Sequence, residues 1–281
     1  MNIIDGKKIA QIVADELTQQ IAFSKLSNRP PKLVIIGSNP DARSLVYIKA
    51  KIKRAEDIGI DTDFIDIGSK TRDEQISLVE EVNRDNSSDG IIIQLPLDDW
   101  SDPQELIDYI SKEKDVDGLT TSNQNSLLVD ESLFTPATPL AVMKIIESYN
   151  IKIAGKTVCV VGRSKLVGKP LKYLLESAGA NVLVVHSKTK NTNELILKSD
   201  IVVSAAGKPG LISVGMVKEN VILIDVGITE VDGKIVGDID MNNMAEKASL
   251  ISPVPGGVGP VTVVMLLSNV IKAYNRSVAH N

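Results

Sequence analysis

The sequence predicts an α/β protein built as two domains, each a parallel sheet covered by helices. Three observations carry that expectation. Apolar runs alternate with segments of helical period almost from end to end, a polar, proline-bearing stretch interrupts them near the middle, and a glycine turn directly after a strand opens the second alternation.

Taken in order, Ile9, Ile12, Val13, Leu17 and Ile21 recur at helical spacing, so an amphipathic helix opens the chain. Residues 33–36 read as a buried strand, and Asn39-Pro40 caps and begins a helix that ends near Gly59. A strand over 64–67, a helix over 73–84 and a strong strand over 90–95 follow. From about 98 to 139 the chain is polar, carries Pro103, Pro136 and Pro139 and shows little period, which reads as a link between domains. A helix over 140–149 leads into the second alternation. That comprises a strand at 157–161, a helix ending at Gly179 and strands at 181–185, 201–204 and 221–226. A last helix is expected over 261–274.

The scarce residues narrow the chemistry. The chain has 281 residues, 43% apolar and 24% charged, enough to bury the cores of two domains. A single cysteine, Cys159, excludes an internal disulfide and a multi-thiolate metal site. Two histidines, His186 and His280, exclude a three-histidine metal centre, so no metal is expected and a histidine-based triad would rest on His186. Catalysis then falls on lysine, tyrosine and carboxylates, or on a bound cofactor. Lys plus Arg number 31 against 36 Asp plus Glu, for a net charge of −5. With a pI near 5.2 this argues against nucleic acid as a partner, though a local basic cleft for a small anion is compatible with it. The opening Met1-Asn2-Ile3-Ile4-Asp5-Gly6 lacks the layout of a secretory signal, and no apolar run approaches the roughly 18 residues that span a bilayer. A soluble cytoplasmic protein with no membrane partner is expected.

The turn Val161-Gly162-Arg163-Ser164-Lys165-Leu166-Val167-Gly168-Lys169-Pro170 joins a strand to a helix. Small residues are needed where backbone N–H groups approach a pyrophosphate at a helix N-terminus. Gly162 permits the tight turn, Gly168 the close approach, and Pro170 suits the first helical turn. The spacing is G-x5-G rather than G-x-G-x-x-G, so the strand–helix–strand context carries the dinucleotide reading. An NAD site places an acidic residue about 20 positions on. Here Val185-His186-Ser187-Lys188 stands there without a carboxylate. Arg163, Ser187 and Lys188 offer donors and positive charge for a 2′-phosphate, which favours NADP. His186, at a strand end, packs or meets the adenosine end and is given no catalytic role.

Tyr47 and Lys51 lie one turn apart in the second expected helix, beside a core face of Leu45, Ile48, Ile52 and Ala55. A lysine desolvated at the edge of an apolar sheet becomes a proton donor or acceptor near neutral pH. Short-chain dehydrogenases share the Y-x3-K spacing, but they carry the glycine turn before the pair, and here the order is reversed. Gln94-Leu95 ends a buried strand, where ligands bind in open parallel sheets. Lys114-Asp115-Val116-Asp117-Gly118 places a carboxylate in the polar stretch. Ser252-Pro253-Val254-Pro255-Gly256-Gly257-Val258-Gly259-Pro260-Val261-Thr262 combines constrained and permissive residues at a density that ordinary loops do not need.

Together and in order, Tyr47-x3-Lys51, Gln94-Leu95-Pro96-Leu97, Lys114-Asp115-Val116-Asp117-Gly118, Gly162-Arg163-Ser164, Asp225-Val226-Gly227-Ile228 and the 253–262 loop resemble the bifunctional methylenetetrahydrofolate dehydrogenase/methenyltetrahydrofolate cyclohydrolase family over essentially the whole chain. The resemblance implies an N-terminal folate domain over 1–135, completed by a returning helix over 261–281, and a Rossmann NADP-binding domain over 136–260, facing each other across a cleft. It implies NADP along Gly162, Arg163, Ser164, Gly168, Ser187, Ala206, Gly207 and Ile228. Tetrahydrofolate derivatives would contact Tyr47, Lys51, Gln94, Leu95 and Asp117, together with Pro255, Gly256, Gly257, Val258, Gly259, Pro260 and Thr262. Lys51 would activate water and move protons, Gln94 would hold and tune Lys51, Asp117 would hold the pterin, and Tyr47 would lie against the ring system. A homodimer is implied as well.

Two positions depart from the family pattern: Ala137 stands where a cysteine is common, and Asp98 where a second proline is common. Two other readings share parts of this picture. One is a shikimate-dehydrogenase-like NADP oxidoreductase, which leaves Asp117 and the Pro-Gly loop unexplained. The other is a non-catalytic dinucleotide-binding protein, against which the joint presence of Lys51, Gln94 and Asp117 speaks.

Overall fold

A computed structural model describes residues 2–23, 29–97, 100–129, 131–244 and 246–279, without the side chains of Ala42 and Arg43. The path begins β1 (Asn2–Ile3), α1 (Gly6–Phe23), β2 (Lys32–Gly37), α2 (Ala42–Ile58), β3 (Asp61–Asp66), α3 (Arg72–Arg84) and β4 (Gly90–Ile93). Short helices α4 (Gln104–Ile107) and α5 (Thr121–Leu127) precede α6 (Ala137–Ser148). Then come β5 (Thr157–Val161), α7 (Gly168–Ser177), β6 (Asn181–Val185), α8 (Thr192–Leu197), β7 (Ile201–Ser204) and β8 (Val221–Asp225). A hairpin of β9 (Thr229–Val231) and β10 (Lys234–Val236), then β11 (Ala248–Ile251) and α9 (Val258–Ala279), complete the described path. The chain divides into two compact units, Met1–Gln11 with Thr138–Thr262 and Ile12–Ala137 with Val263–Asn281.

In the unit containing residues 138–262, six strands form a sheet in the order β1-β11-β8-β7-β5-β6. Every pairing is parallel. Val158, Cys159, Val160, Val202 and Leu223 are fully buried, as expected for apolar runs covered on both faces. From β5 the chain steps outward to β6 and then returns to the other side at β7. That reversal opens a crevice at the carboxyl ends of β5 and β7, the switch point where doubly wound sheets bind ligands.

The other unit is built on a three-stranded parallel sheet, β3-β2-β4. Its central strand β2 buries Leu33, Ile35 and Ile36 completely. Helix α3 starts with a capping box, in which Thr71 accepts from the Glu74 backbone and Glu74 accepts from that of Thr71. Helix α2 starts later than Asn39-Pro40 suggests. Its N-cap is Asp41, whose carboxylate accepts the Ser44 N–H at 2.7 Å, while Asn39 is left-handed at φ 39°.

The stretch expected to be a bare link instead carries α4 and α5 and belongs to this second unit. Helices of four and seven residues are too short to show an apolar stripe, and local bonds hold them: the Thr120 hydroxyl caps α5. Trp100 is 6% exposed and donates its indole N–H to Gln75 at 2.6 Å. Asp98 lies outside the described residues. Ala137 opens α6 and is buried. Along α9, Asn269 donates to the carbonyls of Val116 and Thr135 at 2.8 and 3.0 Å, and the Tyr274 hydroxyl donates to that of Arg29 at 3.0 Å. Among the described residues no helix is long and apolar enough to cross a membrane.

Candidate active site

Three side chains converge at the carboxyl edge of the three-stranded sheet. Lys51 projects from the third turn of α2, and Gln94 is the first residue beyond β4. The Lys51 ammonium donates to Gln94 Oε1 at 2.7 Å, and Gln94 Nε2 donates in turn to the Leu95 carbonyl at 2.8 Å. The second bond settles which way the amide faces, so its oxygen is turned to the lysine. Asp117 supplies the third group and interacts electrostatically with Lys51.

The segment carrying Asp117 is braced on both sides. The buried Asp115 carboxylate accepts from Leu119 N at 3.1 Å, Thr120 N at 2.8 Å and Asn123 Nδ2 at 2.8 Å. Gly118 sits at φ 67°, and a Cβ there would lie 2.9 Å from Pro136 N. Burial lifts the Asp117 carboxyl to about 6, the Lys51 charge opposing and Asp115 adding. Burial likewise pushes the Lys51 ammonium below its ordinary value, with Asp117 pulling it back. A lysine and a carboxylate drawn toward neutrality from opposite sides can exchange protons with a bound molecule.

Tyr47, four residues before Lys51, is 36% exposed, a ring available for stacking against a ligand. A pocket of about 60 Å³ opens beside Gln94, lined among others by Ser38, Ser44 and Pro96. Ser38 escaped the sequence reading. Its hydroxyl is buried and without a hydrogen-bond partner among the described residues, and the available signal was its place just past the carboxyl end of β2.

In the other unit the glycine turn stands at the switch point. Gly162 has φ 124°, and a Cβ there would come 2.5 Å from the Ala205 carbonyl. One on Gly168 would run into the Gly162 carbonyl, a close approach of two backbones that only glycine allows. The Ser164 hydroxyl accepts from Val167 N at 3.1 Å and Gly168 N at 3.4 Å, holding the turn into α7. Arg163 and Ser187 are both exposed, each two residues beyond the paired Val161 and Val185 of adjacent strands. Ala206 and Gly207 follow β7, and Ile228, half exposed, follows β8. His186 Nδ1 accepts the Lys188 N–H at 3.2 Å, a bond internal to its turn.

The expected 253–262 loop is shorter than the sequence suggests. Pro255 and Gly256 lie in it, with Gly256 at φ 104°, and it ends at Gly257, where a Cβ would lie 2.5 Å from the Pro253 carbonyl. Val258, Gly259, Pro260 and Thr262 instead form the start of α9, because a proline is tolerated in a first helical turn. The structure thus brings Lys51, Gln94 and Asp117 together in one unit. The turn residues, the β7 and β8 loops and the 255–262 segment all fall in the other.

A doubly wound sheet with a glycine turn at its switch point, and a separate α/β unit holding a desolvated lysine, define a class: enzymes that join a dinucleotide-binding domain to a catalytic one. Residues 4–117 match the family model of the tetrahydrofolate dehydrogenase/cyclohydrolase catalytic domain, and residues 136–278 that of its NAD(P)-binding domain. The Bifunctional protein FolD of Hydrogenobaculum sp. is 42% identical, over 99% of this chain and 100% of that protein. The crystal structure of FolD-methylenetetrahydrofolate dehydrogenase/cyclohydrolase from Campylobacter jejuni superposes with a TM-score of 0.93 at 39% identity, covering 98% of this chain and 99% of that one. The Trypanosoma brucei methylenetetrahydrofolate dehydrogenase-cyclohydrolase, complexed with NADP and an inhibitor, gives 0.92 at 35% identity and 98% of each chain. The chain belongs to the tetrahydrofolate dehydrogenase/cyclohydrolase family. A shikimate dehydrogenase from Aquifex aeolicus reaches a TM-score of only 0.54 at 14% identity, a likeness of fold alone.

Proposed function

We propose that the protein oxidises 5,10-methylenetetrahydrofolate to 5,10-methenyltetrahydrofolate with NADP and hydrolyses that product to 10-formyltetrahydrofolate. The observation that carries this reading is the Lys51–Gln94 contact of 2.7 Å, with Asp117 in electrostatic range, inside the segment matched to the family's catalytic domain.

NADP fits the residues at the switch point. Gly162 and Gly168 leave no room for a side chain and expose backbone to a pyrophosphate, and Arg163 and Ser187 offer donors to a 2′-phosphate. Ala206, Gly207 and Ile228 line the neighbouring loops. Bound there, NADP supplies the hydride acceptor. The chain's own part in that step is to orient the substrate, because the folate nitrogens already stabilise the cation that develops on the one-carbon bridge.

In the hydrolytic step water adds to the methenyl carbon, one carbon–nitrogen bond breaks, and a proton is released. Lys51, with its proton affinity reduced by burial, takes a proton from the attacking water and returns one to the departing nitrogen. Gln94 fixes the amine's position, Asp117 holds the pterin by its N–H groups, and Tyr47 lies against the ring. The bifunctional reading explains Asp117, which the shikimate-dehydrogenase-like alternative does not. The same reading makes the protein a cytoplasmic homodimer.

The experiment is an absorbance assay of the purified chain with methylenetetrahydrofolate and either NADP or NAD. Reduction of NADP is expected; absence of reduced nicotinamide with both cofactors would sink the reading. A pH dependence follows from Asp117. Its carboxyl, raised to about 6, is ionised above that value and neutral below it, and only the carboxylate accepts two pterin N–H groups. Dehydrogenase kcat/KM for the folate should therefore fall about tenfold per unit as pH drops below about 6. Asp117→Asn should lower the plateau and flatten that limb; an acid limb that persists unchanged in the variant assigns it to another group.

A further inference from the structure

The dinucleotide unit contains two carboxylates that the function above does not use. Asp238, just after the β9–β10 hairpin, is fully buried, and Asp225, the last residue of β8, is 2% exposed. Among the described residues neither has a cation as its hydrogen-bond partner. Asp238 Oδ2 accepts from the Ser204 hydroxyl at 2.8 Å and from Ala206 N at 2.7 Å, while Oδ1 accepts from Lys208 N at 2.7 Å. Asp225 accepts from Gly227 N at 2.9 Å, Asp238 N at 3.1 Å and Ile239 N at 2.8 Å. The Asp225 N–H donates to the Ser252 hydroxyl at 2.7 Å.

These bonds run in one direction across the carboxyl ends of the sheet. They link the end of β11 to β8, β8 to the segment after the hairpin, and that segment to the loop after β7. The packing around them leaves no slack. A Cβ on Gly227 would fall 2.2 Å from Asp238 Oδ1, and one on Gly237 would fall 2.1 Å from Asp225 Oδ2. Both glycines are therefore explained by the carboxylates they face. Burial lifts the Asp225 carboxyl to about 6, the Asp238 charge adding, although three backbone N–H groups pull it down. Two neighbouring buried carboxylates repel each other and are costly to desolvate, and apolar residues would fill the space more favourably. What a carboxylate offers, and an apolar side chain does not, is two oxygens that gather several N–H groups from separate loops.

The loops so gathered are the ones assigned to the cofactor: Ala206 is one of the two backbone donors to Asp238, Gly207 lies between them, and Ile228 follows the N–H that Asp225 holds. We propose that Asp238, seated by Asp225, is a positioning residue for hydride transfer, fixing the loops after β7 and β8 in the form that binds the dinucleotide. This rests on the NADP-binding reading of those loops. Asp238 touches neither cofactor nor substrate in the proposal; it acts through the backbone of Ala206 and Lys208, while Asp225 holds that of Gly227.

Asp238→Asn tests it. An amide has one acceptor oxygen where the carboxylate has two, so either Ala206 N or Lys208 N is left facing an NH2 group. The dissociation constant for NADP, read by calorimetry, is expected to rise about tenfold or more, with KM for NADP following. Hydrolysis of methenyltetrahydrofolate, carried by Lys51 and Gln94 in the other unit, should stay within about twofold. An unchanged NADP affinity accompanied by a lower unfolding temperature would reduce Asp238 to a structural role and overturn the proposal; so would a parallel fall in both activities. Should Asp238→Asn fail to fold, Ser204→Ala removes one bond to the same carboxylate and leaves both backbone donors. It is expected to raise KM for NADP about threefold with hydrolysis unchanged, and no change in KM would overturn the idea equally. If the wild-type protein itself binds NADP without oxidising methylenetetrahydrofolate, the functional reading fails while the affinity comparison still decides the positioning role.

Discussion

Lys51→Met is expected to lower hydrolysis of methenyltetrahydrofolate by about a thousandfold, the range in which a positioned proton-transfer group contributes. Hydride transfer should lose far less, since that step moves no proton from the substrate to the protein. The two activities share one folate site, so a general loss of binding would reduce both together, and a selective loss isolates the proton-transfer role. Methionine keeps the apolar stem of the lysine and removes only the amine. Gln94 Oε1 then loses the donor that it binds at 2.7 Å. Single-turnover measurement of each reaction in the variant is the decisive experiment. Equal loss of the two would contradict the role given to Lys51.

The second large effect concerns cofactor choice. Removing both phosphate donors, as Arg163→Ala with Ser187→Ala, should weaken NADP by about a hundredfold while leaving NAD within a few-fold. Both side chains are exposed and lie just past the carboxyl ends of adjacent strands, each two residues beyond the paired Val161 and Val185. In the proposed reading a guanidinium and a hydroxyl so placed would meet the extra phosphate, and solvent screening would keep the effect below what two buried charge-assisted bonds would give. Comparing kcat/KM for the two cofactors in wild type and variant reads the outcome. Equal weakening of NAD would mean that the residues hold the shared part of the dinucleotide and not the 2′-phosphate.

The elements that the sequence made legible are those written as short, unbroken apolar runs. Strands β5, β6 and β7 appear at the residues expected from their apolar runs, although β7 is fully buried and the edge strand β6 only partly so, because each run is short and is followed or preceded by a glycine turn. Strand β1 has two exposed residues and is held by pairing with β11, so nothing in its composition marks it. The β9–β10 hairpin is mostly exposed for the same reason, and α4 and α5 are too short to show a period. At the site, Lys51 and Gln94 were visible as a helix lysine and a strand-end amide, and their contact is present at 2.7 Å. Ser38 and Asp238 were not visible. The importance of Asp238 comes from N–H groups 30 and 32 residues away in sequence, a relation that no local pattern records.

The orientation of Gln94 constrains the stereochemistry of the lysine. Because Nε2 is committed to the Leu95 carbonyl, the amide cannot rotate to present its nitrogen, and one hydrogen of the Lys51 amine is always directed at Oε1. On a tetrahedral nitrogen with one substituent fixed by the carbon stem and one by that bond, two positions remain. In the neutral amine they hold one hydrogen and one lone pair; in the ammonium they hold two hydrogens. Proton delivery and proton removal at Lys51 are therefore confined to the same narrow pair of directions, so a single placement of the one-carbon bridge serves both halves of the hydrolysis.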